Sequence, residues 1–144
     1  MQDDRIATTS VTVAASRDDV WDALVTPARI KEYMFGAEVV SRWKPGSPIR
    51  WKGEWQGRAY EDKGTILQAS PGRLLQYSHF SPLSGLADTP ENYHTVTIEL
   101  TDAGSSTRVV LTQDHNPTAQ AREHSERTWK TMLLGLKKLV EAGA

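Results

Sequence analysis

Residues 94–117, HTVTIELTDAGSSTRVVLTQDHNP, run directly into residues 118–144, TAQAREHSERTWKTMLLGLKKLVEAGA, and together they decide the fold. In the first block apolar and polar residues alternate, with His94, Val96, Ile98 and Leu100 on one face. After a turn over 102–106, Val109, Leu111, Gln113 and His115 share a face as well. This is the period-two signature of two strands joined as a hairpin. In the second block the period changes to 3.6, and Trp129, Met132, Leu133, Leu136, Leu139 and Val140 form one stripe. A helix of about 24 residues is about 36 Å long, enough to cross a small domain. So long an apolar face needs a broad cover, and a curved antiparallel sheet is what the preceding strands can supply.

Outward from that unit, residues 5–13 (RIATTSVTV) read as a strand rich in β-branched residues. Ser16 opens a short helix, with Asp19 three residues on completing a capping box. Pro27, with Thr26 as cap, starts a second short helix through Ile30, Tyr33 and Met34. Strands are then predicted over 37–43, 49–55, 58–69, 73–80, 93–101 and 107–115, with Pro/Gly turns between the earlier ones. The 81–92 segment is the longest irregular stretch and, with the second short helix, the natural gate of any site below it. The order is strand, two short helices, six strands, long helix: an α+β chain expected to form a single domain over 1–144, near the commonest domain size.

Composition excludes several functions. The formal charge of −1, without blocks of one sign, argues against a nucleic-acid partner. No apolar run approaches the roughly 18 residues of a membrane span, and no cationic leader precedes an apolar one, so a cytoplasmic protein is expected. With no Cys there is no disulfide, thiol nucleophile or thiolate metal site. Chemistry falls to His, carboxylates, hydroxyls or bound water. Neither a phosphate-binding glycine loop nor a dinucleotide fingerprint nor a G-x-S-x-G elbow occurs, so no cofactor is expected.

Five Trp, at 21, 43, 51, 55 and 129, are the compositional outlier. With the strands in phase, the inner surface collects Trp51, Trp55, Tyr60, Tyr77, His79, His94 and Gln113 opposite Trp129 and Met132. An aromatic wall with a few polar groups suits a small-molecule pocket, and it equally suits a filled core. Asp62 shares parity with Tyr60, Gly64 and Ile66, which aims a carboxylate inward; a one-residue slip or bulge would instead present Glu61 or Lys63. His79 and His94 flank the 81–92 loop symmetrically, so antiparallel pairing sets them side by side, near Asp62, as acid/base candidates. Two such His without Cys make a metal site the lesser expectation, and none is assigned. His115 and His124 flank the start of the last helix, facing solvent or the cavity mouth.

The stretches VAASRDDVWDALVTPARIKEYM (13–34), KPGSPIRW (44–51), GTILQASPGRLLQYS (64–78), VTIELTDAGSSTRVVLTQ (96–113) and WKTMLLGLKKLVE (129–141) resemble, in that order, the START-like (SRPBCC) superfamily. The branch they resemble is that of the activator of heat-shock-protein-90 ATPase. The resemblance implies a helix-grip fold, a seven-stranded antiparallel sheet around the C-terminal helix, with a cavity between them. This chain departs from the branch at Thr128-Trp129, where many members carry Gly-Trp, and at His79, where an aromatic residue is common. Three functions are compatible: a carrier or sensor of a small hydrophobic or aromatic molecule, monomeric or homodimeric; a cyclase, dehydratase or hydrolase-type enzyme using Asp62 with His79 or His94; and a chaperone-associated interaction module. Fold alone does not choose among them.

Overall fold

A computed structural model of the chain describes residues 6–82 and 85–143, Trp55 by its backbone only. The elements are β1 (Ala7–Val13), α1 (Arg17–Val25), α2 (Pro27–Tyr33), β2 (Glu38–Ser41), β3 (Pro48–Trp55), β4 (Arg58–Ser70), β5 (Leu74–His79), β6 (His94–Ala103), β7 (Ser106–Gln113) and α3 (Ala119–Ala142). The seven strands form one curved antiparallel sheet in the order β1-β7-β6-β5-β4-β3-β2, with α3 packed against it. This is the α+β helix-grip fold. The core lies where the two apolar faces meet: Ile49, Ile66, Leu75, Val96, Val109 and Leu111 from the sheet, Met132, Leu133, Leu136 and Val140 from α3. Burying each such aliphatic side chain is worth roughly 2 kcal/mol. Although α3 is long, no helix among the described residues is long and apolar enough to cross a membrane.

Local chemistry accounts for the element ends. Ser16 Oγ accepts from Asp19 N at 3.2 Å, the bond expected of a cap. Thr26 occupies the N-cap position of α2 but makes no cap bond. Its hydroxyl donates instead to Asp22 Oδ1 at 3.1 Å, and the same carboxylate holds Arg29 at 2.8 Å. These bonds, Arg29 first, hold Asp22 below the usual carboxylate range. At the other end of the chain Thr118 Oγ1 accepts from Ala121 N at 3.0 Å and starts α3.

Several strands end earlier than alternation predicts. Trp43 adopts φ 58°, a left-handed conformation that stops β2 at Ser41. His115, with φ 58°, likewise leaves β7 two residues before its predicted end and is solvent-exposed. Within the 81–92 loop, Pro90–Asn92 form a 3-10 turn.

The β4 bulge is the irregularity that matters most for the site. Pairing with β5 shifts between Ile66 and Gln68. Leu67, 41% exposed, is the extra residue, and past it the inward parity moves to Ala69, which packs on the core. Because the bulge falls beyond Ile66, Tyr60, Asp62 and Ile66 keep one inward phase.

The two long edges of the sheet differ. Along β1, alternate backbone groups are taken up by α3 side chains. Thr8 N and Ala14 N donate to Glu126 and Glu141 carboxylates at 3.0 and 2.7 Å. Ser10 O and Thr12 O accept from Lys130 and Lys137 at 2.6 and 2.7 Å. The helix thus does for β1 what an eighth strand would do.

Candidate functional site

Strands β3, β4 and β5 bring Trp51, Asp62, Tyr77 and His79 to one inner patch, because Trp51 opposes Asp62 and both neighbour the inward face of β5. Trp51 and Tyr77 are each 5% exposed, with ring centres 5.2 Å apart. His79 meets Trp51 edge-on at 5.0 Å. Its Nε2 lies 2.9 Å from Asp62 Oδ2. A carboxylate only accepts, so Nε2 carries the proton of this bond. Asp62 Oδ1 is buried and has no hydrogen-bond partner among the described residues. Glu61 and Lys63 point the other way, to Arg50 and Asp88 respectively.

From α3, Ser125, Thr128, Trp129 and Met132 face this patch at helical spacing. Trp129 Nε1 donates to Gln113 Oε1 at 2.6 Å. The Gln113 amide nitrogen donates to Asn116 Oδ1 and Ser125 Oγ at 3.3 and 3.4 Å. Ser125 Oγ in turn donates to Asn116 Oδ1 at 2.9 Å. The network fixes the Trp129 ring and so one wall of the site.

Between these walls lies a chamber of about 270 Å³ lined by Trp51, Tyr60, Asp62, Tyr77, His79, Gln113, Trp129 and Met132, with Phe35 and Thr128 toward its rim. Inward it narrows to an apolar cleft of about 30 Å³ against Leu111, Leu133 and Leu136. Outward it opens into a mouth of about 500 Å³ bordered by Phe35, Tyr60, Asp62, Ser81, His124, Arg127 and Thr128. Burial, and then the Asp62 charge, raise the Tyr60 phenol above its ordinary value. Burial alone does the same for Tyr77. Both therefore stay protonated as hydrogen-bonding phenols at neutral pH.

His94 is placed differently from the other candidates. It is the direct register partner of His79, and the two rings stack at 6.3 Å, as their symmetric flanking of the loop predicts. The ring nevertheless stands behind His79 and lines neither the chamber nor its mouth, because its Nδ1 donates to the Asp114 carbonyl at 2.8 Å. The Trp55 side chain lies outside the described residues. Among the described residues no three His or carboxylate groups converge as metal ligands. Sequence reasoning missed Phe35 and Ser125 as lining residues and marked Thr128 only as a family departure near the expected cavity. The last two were readable, since 125, 128, 129 and 132 follow the helical spacing that singled out Trp129 and Met132.

Burial holds His94 below its ordinary value of 6.5, with His79 and His115 adding repulsion and the Asp114 carbonyl bond and carboxylate opposing them. Because the folded value is depressed, the unfolded chain binds the extra proton first as pH falls. Stability is therefore expected to drop as pH descends from above 6.5 through the folded value, and His94→Asn is expected to flatten that slope. Urea melts between pH 7.5 and 5.5 measure it, a window above that of the depressed carboxylates Asp22, Asp88 and Glu141. An unchanged slope in the variant would assign the loss elsewhere.

The profile of the family described as Activator of Hsp90 ATPase homolog 1-like protein matches residues 14–141. The chain is 57% identical to ChR145 from Cytophaga hutchinsonii, whose solution structure it matches with a TM-score of 0.86 over 99% of this chain and 98% of that one. It is similar in fold to the Aha1 dimer from Colwellia psychrerythraea, at 20% identity and a TM-score of 0.74 over 96% and 97% of the two chains. It is similar in fold also to CalU16 from Micromonospora echinospora, at 22% identity and 0.69 over 92% and 74%. No curated protein matches the chain. Strand order, the α3 grip and the family profile agree, and the chain belongs to the Activator of Hsp90 ATPase homolog 1-like family of the START-like superfamily.

Proposed function

We propose that the protein binds a small, largely apolar or aromatic molecule in the chamber between sheet and α3, as a carrier or sensor. The observation that carries this reading is the chamber itself, about 270 Å³ walled by Trp51, Tyr77 and Trp129 and continuous with an open mouth. A volume near the lower end of the usual ligand range suits a compact ring system. The walls supply apolar area, and the few polar groups supply orientation.

Thr128 sits on the rim shared by chamber and mouth. Thr128→Trp is expected to fill the chamber while leaving the core beneath it untouched. Native mass spectrometry of protein purified from its own host, with 2-naphthol titrated against Trp fluorescence, tests the reading. The expected result is a small apolar mass or saturable quenching in the wild type, weakened at least tenfold in the folded variant. A clean apo mass with no quenching, or equal quenching in both proteins, would overturn it.

A second reading, acid/base catalysis in the same chamber, is favoured by one observation. Asp62 holds His79 Nε2 with one oxygen while its other oxygen is buried without a partner. Such an acceptor costs about 1–3 kcal/mol until a donor meets it, and a substrate hydroxyl or amine would do so. Catalysis predicts that Asp62→Asn abolishes turnover of a bound molecule while retaining its binding, whereas a carrier shows no turnover in either form.

A further inference from the structure

At the edge of the sheet opposite to β1, α2 packs against β2 but leaves the outward side chains of the strand exposed. Among the described residues β2 pairs only with β3, and no helix side chain there takes up its outer backbone groups as α3 does for β1. On its outward face stand Glu38, Val40 and, directly after the strand, Arg42, all exposed. Val40 is 60% exposed, the most exposed of the large apolar residues described. Neither Glu38 nor Arg42 makes an ion pair among the described residues.

We infer that the β2 edge is a self-association site whose occupant is the β2 edge of a second copy, paired antiparallel with Val40 at the two-fold axis. The argument is charge complementarity. Read in reverse, the alternate positions Glu38, Val40, Arg42 become Arg, Val, Glu. In antiparallel pairing about Val40, each Glu38 therefore faces Arg42 of the second copy, and the two Val40 side chains face each other. A two-fold interface requires this kind of self-complementary patch. Edge strands are usually guarded by charges that repel a second copy. Here the charges have the arrangement that attracts one. The strand is only four residues long, so the association is weak and depends on concentration.

The surface residues involved lie outside the chamber, and the test needs no ligand. Sedimentation-equilibrium measurements on the full chain over a wide concentration range compare the wild type with E38R and R42E, alone and mixed. The wild type is expected to dimerise reversibly. Each single variant is expected to weaken the dimer by roughly tenfold or more, because it puts like charges opposite each other twice. An equimolar mixture of the two variants is expected to restore association, since each supplies the charge the other lacks, and the E38R/R42E double variant is expected to self-associate like the wild type. A wild type that remains monomeric at every concentration would overturn the proposal. So would a dimer unaffected by either substitution, or two folded variants that fail to associate on mixing.

Discussion

Gly64→Ala is expected to lower the unfolding free energy by about 3 kcal/mol or more, well beyond the usual cost of adding one methyl group. A Cβ at this position would stand 1.7 Å from the Ser78 carbonyl oxygen and 2.6 Å from its carbon. The obstacle is backbone, and that backbone is held on both sides. Lys63 and Phe80 exchange hydrogen bonds at 3.0 and 2.8 Å, and Thr65 N donates to Ser78 Oγ at 2.9 Å. Strand β5 cannot recede without breaking these bonds. Since Gly64 lies between Asp62 and Ile66, the displacement should also loosen the Asp62–His79 bond, visible as a changed His79 imidazole resonance. Gly53→Ala is the control. Its Cβ would meet Tyr60 Oη at 2.6 Å, the far end of a side chain that can swing toward the mouth. Urea melts should separate the two variants clearly; a Gly64→Ala protein within about 1 kcal/mol of the wild type would show that the strands tolerate spreading.

Alternation alone carried most of the sheet. The inward sets 75/77/79 and 94/96/98/100 are the observed faces, and the symmetric flanking of the 81–92 loop is enough to pair His79 with His94. The helix stripe was equally legible, except that Leu139 lies at the margin of the buried face rather than within it. Asp62 was ambiguous for a physical reason. A bulge on either side of it would be equally silent in composition, and the location at Leu67, beyond Ile66, preserves its inward phase. His94 shows a different limit. Strand parity fixes the side of the sheet from which a ring projects, but the Asp114 carbonyl, brought close only by the end of β7, fixes where that ring turns. The chamber volume was not legible at all. It depends on where Trp51 and Trp129 rest, and Trp129 is held by Gln113, which parity identified only as an inward polar residue.

Gln113→Leu should therefore cost more than an ordinary polar-to-apolar change in a core, about 2–4 kcal/mol. Gln113 is 8% exposed, and its amide is used from both ends: the oxygen accepts the Trp129 indole N–H, and the nitrogen donates toward Asn116 and Ser125. Leucine fills similar space but leaves the partly buried indole N–H without its acceptor. The diagnostic is coupling with the ring. Trp129→Phe removes the donor and strands the Gln113 oxygen, so each single change leaves one polar group unpaired, whereas Gln113→Leu/Trp129→Phe leaves neither partner of that bond behind. Its cost should fall short of the sum of the singles by at least about 1 kcal/mol. Additivity within about 0.3 kcal/mol would mean that the 2.6 Å bond contributes nothing specific and that packing alone positions Trp129. If the coupling is found, Gln113→Leu with Trp129 retained should also broaden Trp129 fluorescence and weaken 2-naphthol binding, because the same bond that stabilises the fold holds the chamber wall in place.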